Sequence, residues 1–144
     1  MTFEKAYCEY KLNQIDECLK TLDSIETPGL REKELQAQAL YRQEQYSDCY
    51  KIYVDLIRNS DDDYEAERAT NLTATVACLH LLQDEGVQQI PELSESTFEQ
   101  FYNKACILIG KRNYKASIDK LQKSEGKQHF IVDFIIDCQI LFII

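Results

Sequence analysis

The chain has no tryptophan, one methionine, two prolines and four glycines in 144 residues. So few breakers leave room for long uninterrupted helices and exclude the turn-rich composition of sandwiches, barrels and low-complexity linkers. Positive charge is also scarce: 25 acidic residues face 16 basic ones, a net charge of −9. That balance argues against a nucleic-acid surface and favours a basic peptide as partner, although acidic solvated faces are common in helical proteins. Histidine occurs twice, at His80 and His129, and the six cysteines at 8, 18, 49, 78, 106 and 138 are never closer than ten apart. No CxxC pair exists, so neither a zinc spacing nor a secreted disulfide framework is present, and four or five of the cysteines are expected to be buried small residues. No basic-then-apolar leader opens the chain, so entry into the secretory pathway is not supported.

What is present is helical periodicity. Ala37, Leu40 and Tyr41 form an apolar stripe; after a polar break from Arg42 to Gln45, Tyr46, Cys49, Tyr53 and Leu56 form a second. Two antiparallel helices joined by a short turn follow, and a hairpin so small leaves apolar edges that only further hairpins can cover. The chain supplies them in phase. Tyr46, Cys49 and Tyr53 align with Tyr114, Ser117 and Leu121, 68 residues later, and with Ile15, Cys18 and Leu22, 31 residues earlier. Ala6, Ala37 and Ala105 keep the same register in the preceding helices. Small residues recur there because helices crossing at closest approach admit no larger side chain.

A period near 34 with two helices per unit resembles the tetratricopeptide repeat, and predicts an all-α solenoid of stacked antiparallel helix pairs over residues 1–125. The units are expected at about 2–26, 30–59, 64–93 and 97–125. Thr2 is expected to cap the first helix, Ser96 or Thr97 that of the last unit, and Gly110 to close it. Asp61, Asp62 and Asp63 are read as acids favoured at a helix start. The helix after them turns Ala69, Leu72, Val76 and Leu79 inward; that of the last unit runs through Phe101, Ala105, Leu108 and Ile109. Gln83 to Leu93, holding Gly86 and Pro91, is expected to be a shortened or irregular second helix. From Phe130 to Ile144 twelve of fifteen residues are apolar without clear phase. That stretch is too short for a span of about twenty residues. A tail anchor and a helix capping the solenoid are weighed for it, against a third origin: Gly126-Lys127 can be encoded by GGTAAG, the usual start of an intron, so residues 127–144 are expected to be translated non-coding sequence.

Chemistry-bearing patterns fail on their own geometry. A calcium loop from Asp61 needs glycine at 66 and an acid at 72, where Ala66 and Leu72 stand. Cys78 and His80 are two apart on one helix and point to different faces, so they cannot act as nucleophile and base. No glycine-rich phosphate loop appears, Asn71-Leu72-Thr73 is an incidental glycosylation triplet inside a helix, and catalysis is not expected. No cofactor or metal is implied.

A closer resemblance lies in FEKAYCEYKLN from Phe3, YVDLIRNSDDDYEAERATNL from Tyr53 and YNKACILIGKRNYKASIDKLQKSE from Tyr102. Together these resemble the N-terminal repeat region of the signal recognition particle 72 kDa subunit family. The resemblance implies a cytosolic, non-catalytic scaffold that binds the particle's 68 kDa partner subunit, supports targeting to the endoplasmic reticulum surface, and meets RNA only through the rest of the particle. The family's basic RNA-binding segment has no counterpart here, and the chain is expected to be a fragment. First helices of such repeats line the concave face, which makes Tyr7, Tyr10, Lys11, Glu34, Gln38, Tyr41, Arg42, Tyr102 and Cys106 the candidate partner contacts. A generic tetratricopeptide adaptor or a co-chaperone clamp is the rival reading. The clamp needs lysine and asparagine where Phe3 and Tyr7 stand.

Overall fold

A computed structural model describes residues 1–82 and 97–125. They form seven helices: α1 (Thr2–Lys11), α2 (Ile15–Asp23), α3 (Leu30–Arg42), α4 (Tyr46–Asn59), α5 (Glu65–Leu81), α6 (Phe98–Gly110) and α7 (Tyr114–Glu125). There is no strand among the described residues. The expectations for Gln83 to Leu93, for residues 127–144 and for Cys138 fall outside them.

Three hairpins, α1–α2, α3–α4 and α6–α7, share one turn. Asn13, Glu44 and Arg112 each take a left-handed conformation, with φ of 60°, 60° and 58°. Around each, the same two backbone bonds close the first helix: Asn13 N–H to Tyr10 and Gln14 N–H to Glu9, then Glu44 to Tyr41 and Gln45 to Leu40, then Arg112 to Ile109 and Asn113 to Leu108. This is the Schellman arrangement, which satisfies carbonyls that a helix end otherwise orphans. The phased small residues meet inside each hairpin. Ala6 and Cys18, Ala37 and Cys49, and Ala105 and Ser117 are all buried, and the Ser117 hydroxyl donates to the Ala105 carbonyl at 3.1 Å.

Two apolar clusters hold the stack. Ala6, Cys18, Leu22, Leu35 and Ala39 join α1, α2 and α3. Ala37, Leu40, Cys49, Tyr53, Leu56, Leu72, Val76, Ala77 and Ile107 join α3, α4, α5 and α6. Helix α5 packs against both α4 and α6.

Some local expectations hold and others are corrected. Met1 rather than Thr2 caps α1, without a side-chain bond, because the helix already includes residue 2. Thr97 caps α6 as expected, reciprocally with Gln100. Helix α6 runs through Phe101, Ala105, Leu108 and Ile109 as expected; Phe101, Ala105 and Ile107 are buried, Leu108 and Ile109 half-buried. Ala69 is likewise half-buried. Gly110 is the last residue of α6, as expected, and the left-handed position two residues further on belongs to Arg112. The glycine's second constraint is steric: a Cβ there would sit 2.7 Å from the His80 backbone of α5. Of the five cysteines among the described residues, Cys18 and Cys49 are buried, Cys78 and Cys106 are half-buried, and Cys8 is exposed.

The acidic run also does something other than start a helix. Helix α5 begins at Glu65 with Tyr64 as its N-cap, and Asp62 both accepts from the Tyr64 N–H at 3.0 Å and grips Arg68, one turn inside the helix. The Arg68 guanidinium donates from Nη1 to Asp62 Oδ1 at 2.7 Å and from Nη2 to Oδ2 at 2.9 Å. It also reaches Ser60 Oγ at 2.7 Å and Glu34 of α3 at 3.3 Å. Its side chain is only 3% exposed. The segment NSDDDYEAER thus folds into a clamp that fixes the α4–α5 corner on α3. The two parallel bonds to one carboxylate are the geometry that makes arginine, and not lysine, suited to the position.

Candidate protein-binding groove

Helices α1, α3 and α5 converge on a cavity of about 410 Å³, lined by Tyr10, Gln38, Tyr41, Arg42, Tyr53, Asn71 and Ala74. Periodicity explains how three helices reach one space. Gln38, Tyr41 and Arg42 stand at i, i+3 and i+4 on α3, and Asn71 and Ala74 at i and i+3 on α5, so each set forms one stripe. Tyr53 comes from α4, 2% exposed, and supplies the floor.

The floor is rigid and uncharged. The Tyr41 hydroxyl lies 3.4 Å from the Cys78 thiol, and its ring meets that of Tyr46 edge-on with centroids 5.3 Å apart. Burial, and then the Cys78 bond, push the Tyr41 phenol far above its ordinary range. Burial does the same to Tyr53, against which the bond from Asn71 acts weakly. Both rings therefore stay neutral at any physiological pH. Beneath them the Cys49 thiol, 3.4 Å from the Thr75 hydroxyl, is pushed up to about 11 by burial, so it is a packing residue and not a nucleophile.

One cation faces the cavity. The Arg42 guanidinium stacks 4.0 Å from the centroid of the Tyr10 ring and donates to the Tyr10 carbonyl at 3.3 Å, bridging α3 to α1. No acidic residue is among the lining residues.

Of the nine candidate contacts, Tyr10, Gln38, Tyr41 and Arg42 line this cavity. Tyr7 and Lys11 lie beside it on α1, exposed, with the Lys11 ammonium 5.4 Å from the Tyr7 ring centroid. Glu34 is engaged with Arg68. Tyr102 stacks on Phe98 within α6, with centroids 6.2 Å apart. Cys106 packs against the larger apolar cluster. Sequence reasoning missed Tyr53, Asn71 and Ala74. Tyr53 reads as core, which it also is, and Asn71 was absorbed by a chance glycosylation triplet. The signal that finds Asn71 and Ala74 is their i, i+3 spacing opposite the buried Leu72 and Val76.

Among the described residues no group of three histidine, cysteine or acidic side chains is placed to hold a metal ion. No helix among them is long and apolar enough to cross a membrane.

Comparison with known proteins bears on what such a groove is for. Residues 1–79 match the signal recognition particle family model described as a putative TPR-like repeat. The chain is 47% identical over 128 residues to signal recognition particle subunit SRP72 of Homo sapiens, an alignment covering 87% of this chain and 18% of that protein. SRP72 of Schistosoma mansoni is 38% identical over 124 residues, covering 86% and 17%. SRP72 of Caenorhabditis elegans is 34% identical over 122 residues, covering 85% and 19%. The chain thus spans less than a fifth of the length of the curated relatives it matches. With the family model covering more than half of its residues, and three hairpins of one design stacked in phase, the chain belongs to the TPR-like repeat family of signal recognition particle subunit SRP72.

Proposed function

We propose that this chain is a non-catalytic protein-binding scaffold of the signal recognition particle, which holds the 68 kDa partner subunit and so supports co-translational targeting to the endoplasmic reticulum from the cytoplasm. The observation that carries the reading is the cavity between α1, α3 and α5, walled by three tyrosines, an arginine and two side-chain amides. Tyrosine and arginine are the residues over-represented where protein interfaces concentrate their energy, because they desolvate a large area and keep a polar tip. The Gln38 and Asn71 amides offer both donors and acceptors to a polypeptide backbone. A segment bound in extended form has unpaired N–H and C=O groups to meet them, whereas a helix has already used its own. The RNA of the particle is reached through other components, in keeping with the net charge of −9.

Calorimetric titration of the whole chain with the 68 kDa subunit tests this. Ala74→Leu fills the cavity without disfavouring α5 and is expected to weaken binding at least tenfold; Tyr41→Ala and Arg42→Ala each weaken it several-fold. Lys51→Ala, on the exposed side of α4, leaves it unchanged. Undiminished binding by Ala74→Leu with its helicity intact would move the contact surface elsewhere.

A further inference from the structure

The seam between α1 and α3 carries a feature that net charge conceals. Phe3, Tyr7 and Tyr10 follow one another along α1, and each ring is covered by a cation. Arg31 lies 4.1 Å from the Phe3 centroid, Lys11 5.4 Å from that of Tyr7 and Arg42 4.0 Å from that of Tyr10. All three cations are exposed. Among the described residues none forms an ion pair; Glu4, the acid that feels Arg31, is paired with the amino terminus. Three cations on an apolar backing, with Glu34 between Arg31 and Arg42 paired to Arg68, therefore lead into a cavity without acids, on a chain that is acidic as a whole.

Resting on the groove reading above, the geometry points to an extended peptide with at least two carboxylate side chains as the occupant, one on Arg42 at the cavity mouth and one on Arg31 at the far end of α3. The ring faces are already occupied by the chain's own cations, so they are closed to stacking bases, while the outer edges of the guanidinium groups remain presented for paired acceptance by carboxylate. Repulsion from the overall negative charge grows with every phosphate of a polyanion, but stays small for a ligand of two or three charges beyond a Debye length of about 8 Å. Arg31 and Arg42 are eleven residues apart on α3, about 16 Å along the axis. An extended peptide covers that distance in about five residues. The acids of the ligand are therefore spaced about four to six apart.

Selection from a phage library of random dodecapeptides against the whole chain tests the inference, followed by fluorescence anisotropy of synthetic peptides from the selected set. The expected result is enrichment of aspartate and glutamate in pairs at that spacing. Arg31→Gln and Arg42→Gln are each expected to weaken the selected peptide about three- to tenfold. Changing its matching acid to the amide is expected to do the same, with no further loss in the variant. Peptides without acidic enrichment that still fail to bind Ala74→Leu would overturn the charge inference and leave the groove reading standing. Absence of any selected binder would overturn both. A fluorescein-labelled oligouridine that binds as tightly as the peptide and loses affinity in either glutamine variant would overturn the peptide assignment in favour of nucleic acid.

Discussion

The three hairpins and the junction that α5 makes with its neighbours solve the same packing problem by different means. Inside a hairpin the helices are held by what recurs: one left-handed residue, one pair of turn hydrogen bonds and one pair of small side chains at the crossing. Around α5 nothing recurs. Arg68 ties it to the α4–α5 corner and to α3; Gln100 and Asn103 of α6 reach Thr70 at 3.4 and 3.2 Å; and Gly110 lets α6 close on His80. Repetition builds units, and singular polar residues decide how consecutive units are set against each other.

That contrast can be broken at either side. The largest effect is expected for Tyr53→Ala, which removes a fully enclosed ring from the cluster shared by α3, α4, α5 and α6; a loss of about 3–5 kcal/mol should register as a fall in the urea midpoint. Arg68→Met attacks the junction alone. It leaves Asp62 and Glu34, which are partly solvated, so the expected cost is about 2 kcal/mol, less than for a fully buried pair. Hydrogen exchange should show it as faster opening of α5 while α1–α2 is unchanged. Gly110→Ala sets a methyl against the His80 backbone and is expected to cost about 1–3 kcal/mol, with the loosening confined to α5 and α6.

Titration separates the regions by sign. The Asp62 carboxyl is held below its ordinary value by Arg68, so its contribution is present above the unfolded-state pKa and is lost as the pH falls, which loosens the junction in acid. On α4, burial pushes Cys49 up to about 11 and Tyr46 up to about 12. Their contribution is complete below the ordinary values of these groups and fades as the pH rises through those figures, so thermal scans in alkali should report loss of the α3–α4 hairpin and its contacts. The smallest effect is a gain. Glu44→Gly and Arg112→Gly relieve left-handed strain of about 1–2 kcal/mol, partly offset by the freer unfolded chain, and each should raise stability by roughly 0.5–1 kcal/mol in the same denaturation assay.

The same contrast explains what could be read before any coordinates. Ala37 with Cys49 and Ala105 with Ser117 were legible because a crossing point tolerates few residue types and the chain repeats it in register. Arg68 was not, since its partners Asp62, Ser60 and Glu34 lie six, eight and 34 residues away without periodicity. Gly110 ends its helix as the sequence implies, but its second constraint, the close approach of α5, has no local signature. The cavity was half legible. Its α3 stripe follows from helical spacing, whereas Tyr53 belongs to both core and groove and only the fold reveals that second role.

Helix α1 contributes one fully enclosed side chain, Ala6, yet provides one wall of the cavity through Tyr10. Fraying of that helix and opening of the groove are consequently a single event. The measured affinity of any occupant is lowered by the fraction of molecules in which α1 has come away. An occupant spanning Tyr10 and Arg42 would in turn act as a clasp, slowing exchange of the α1 amides before those of any other helix.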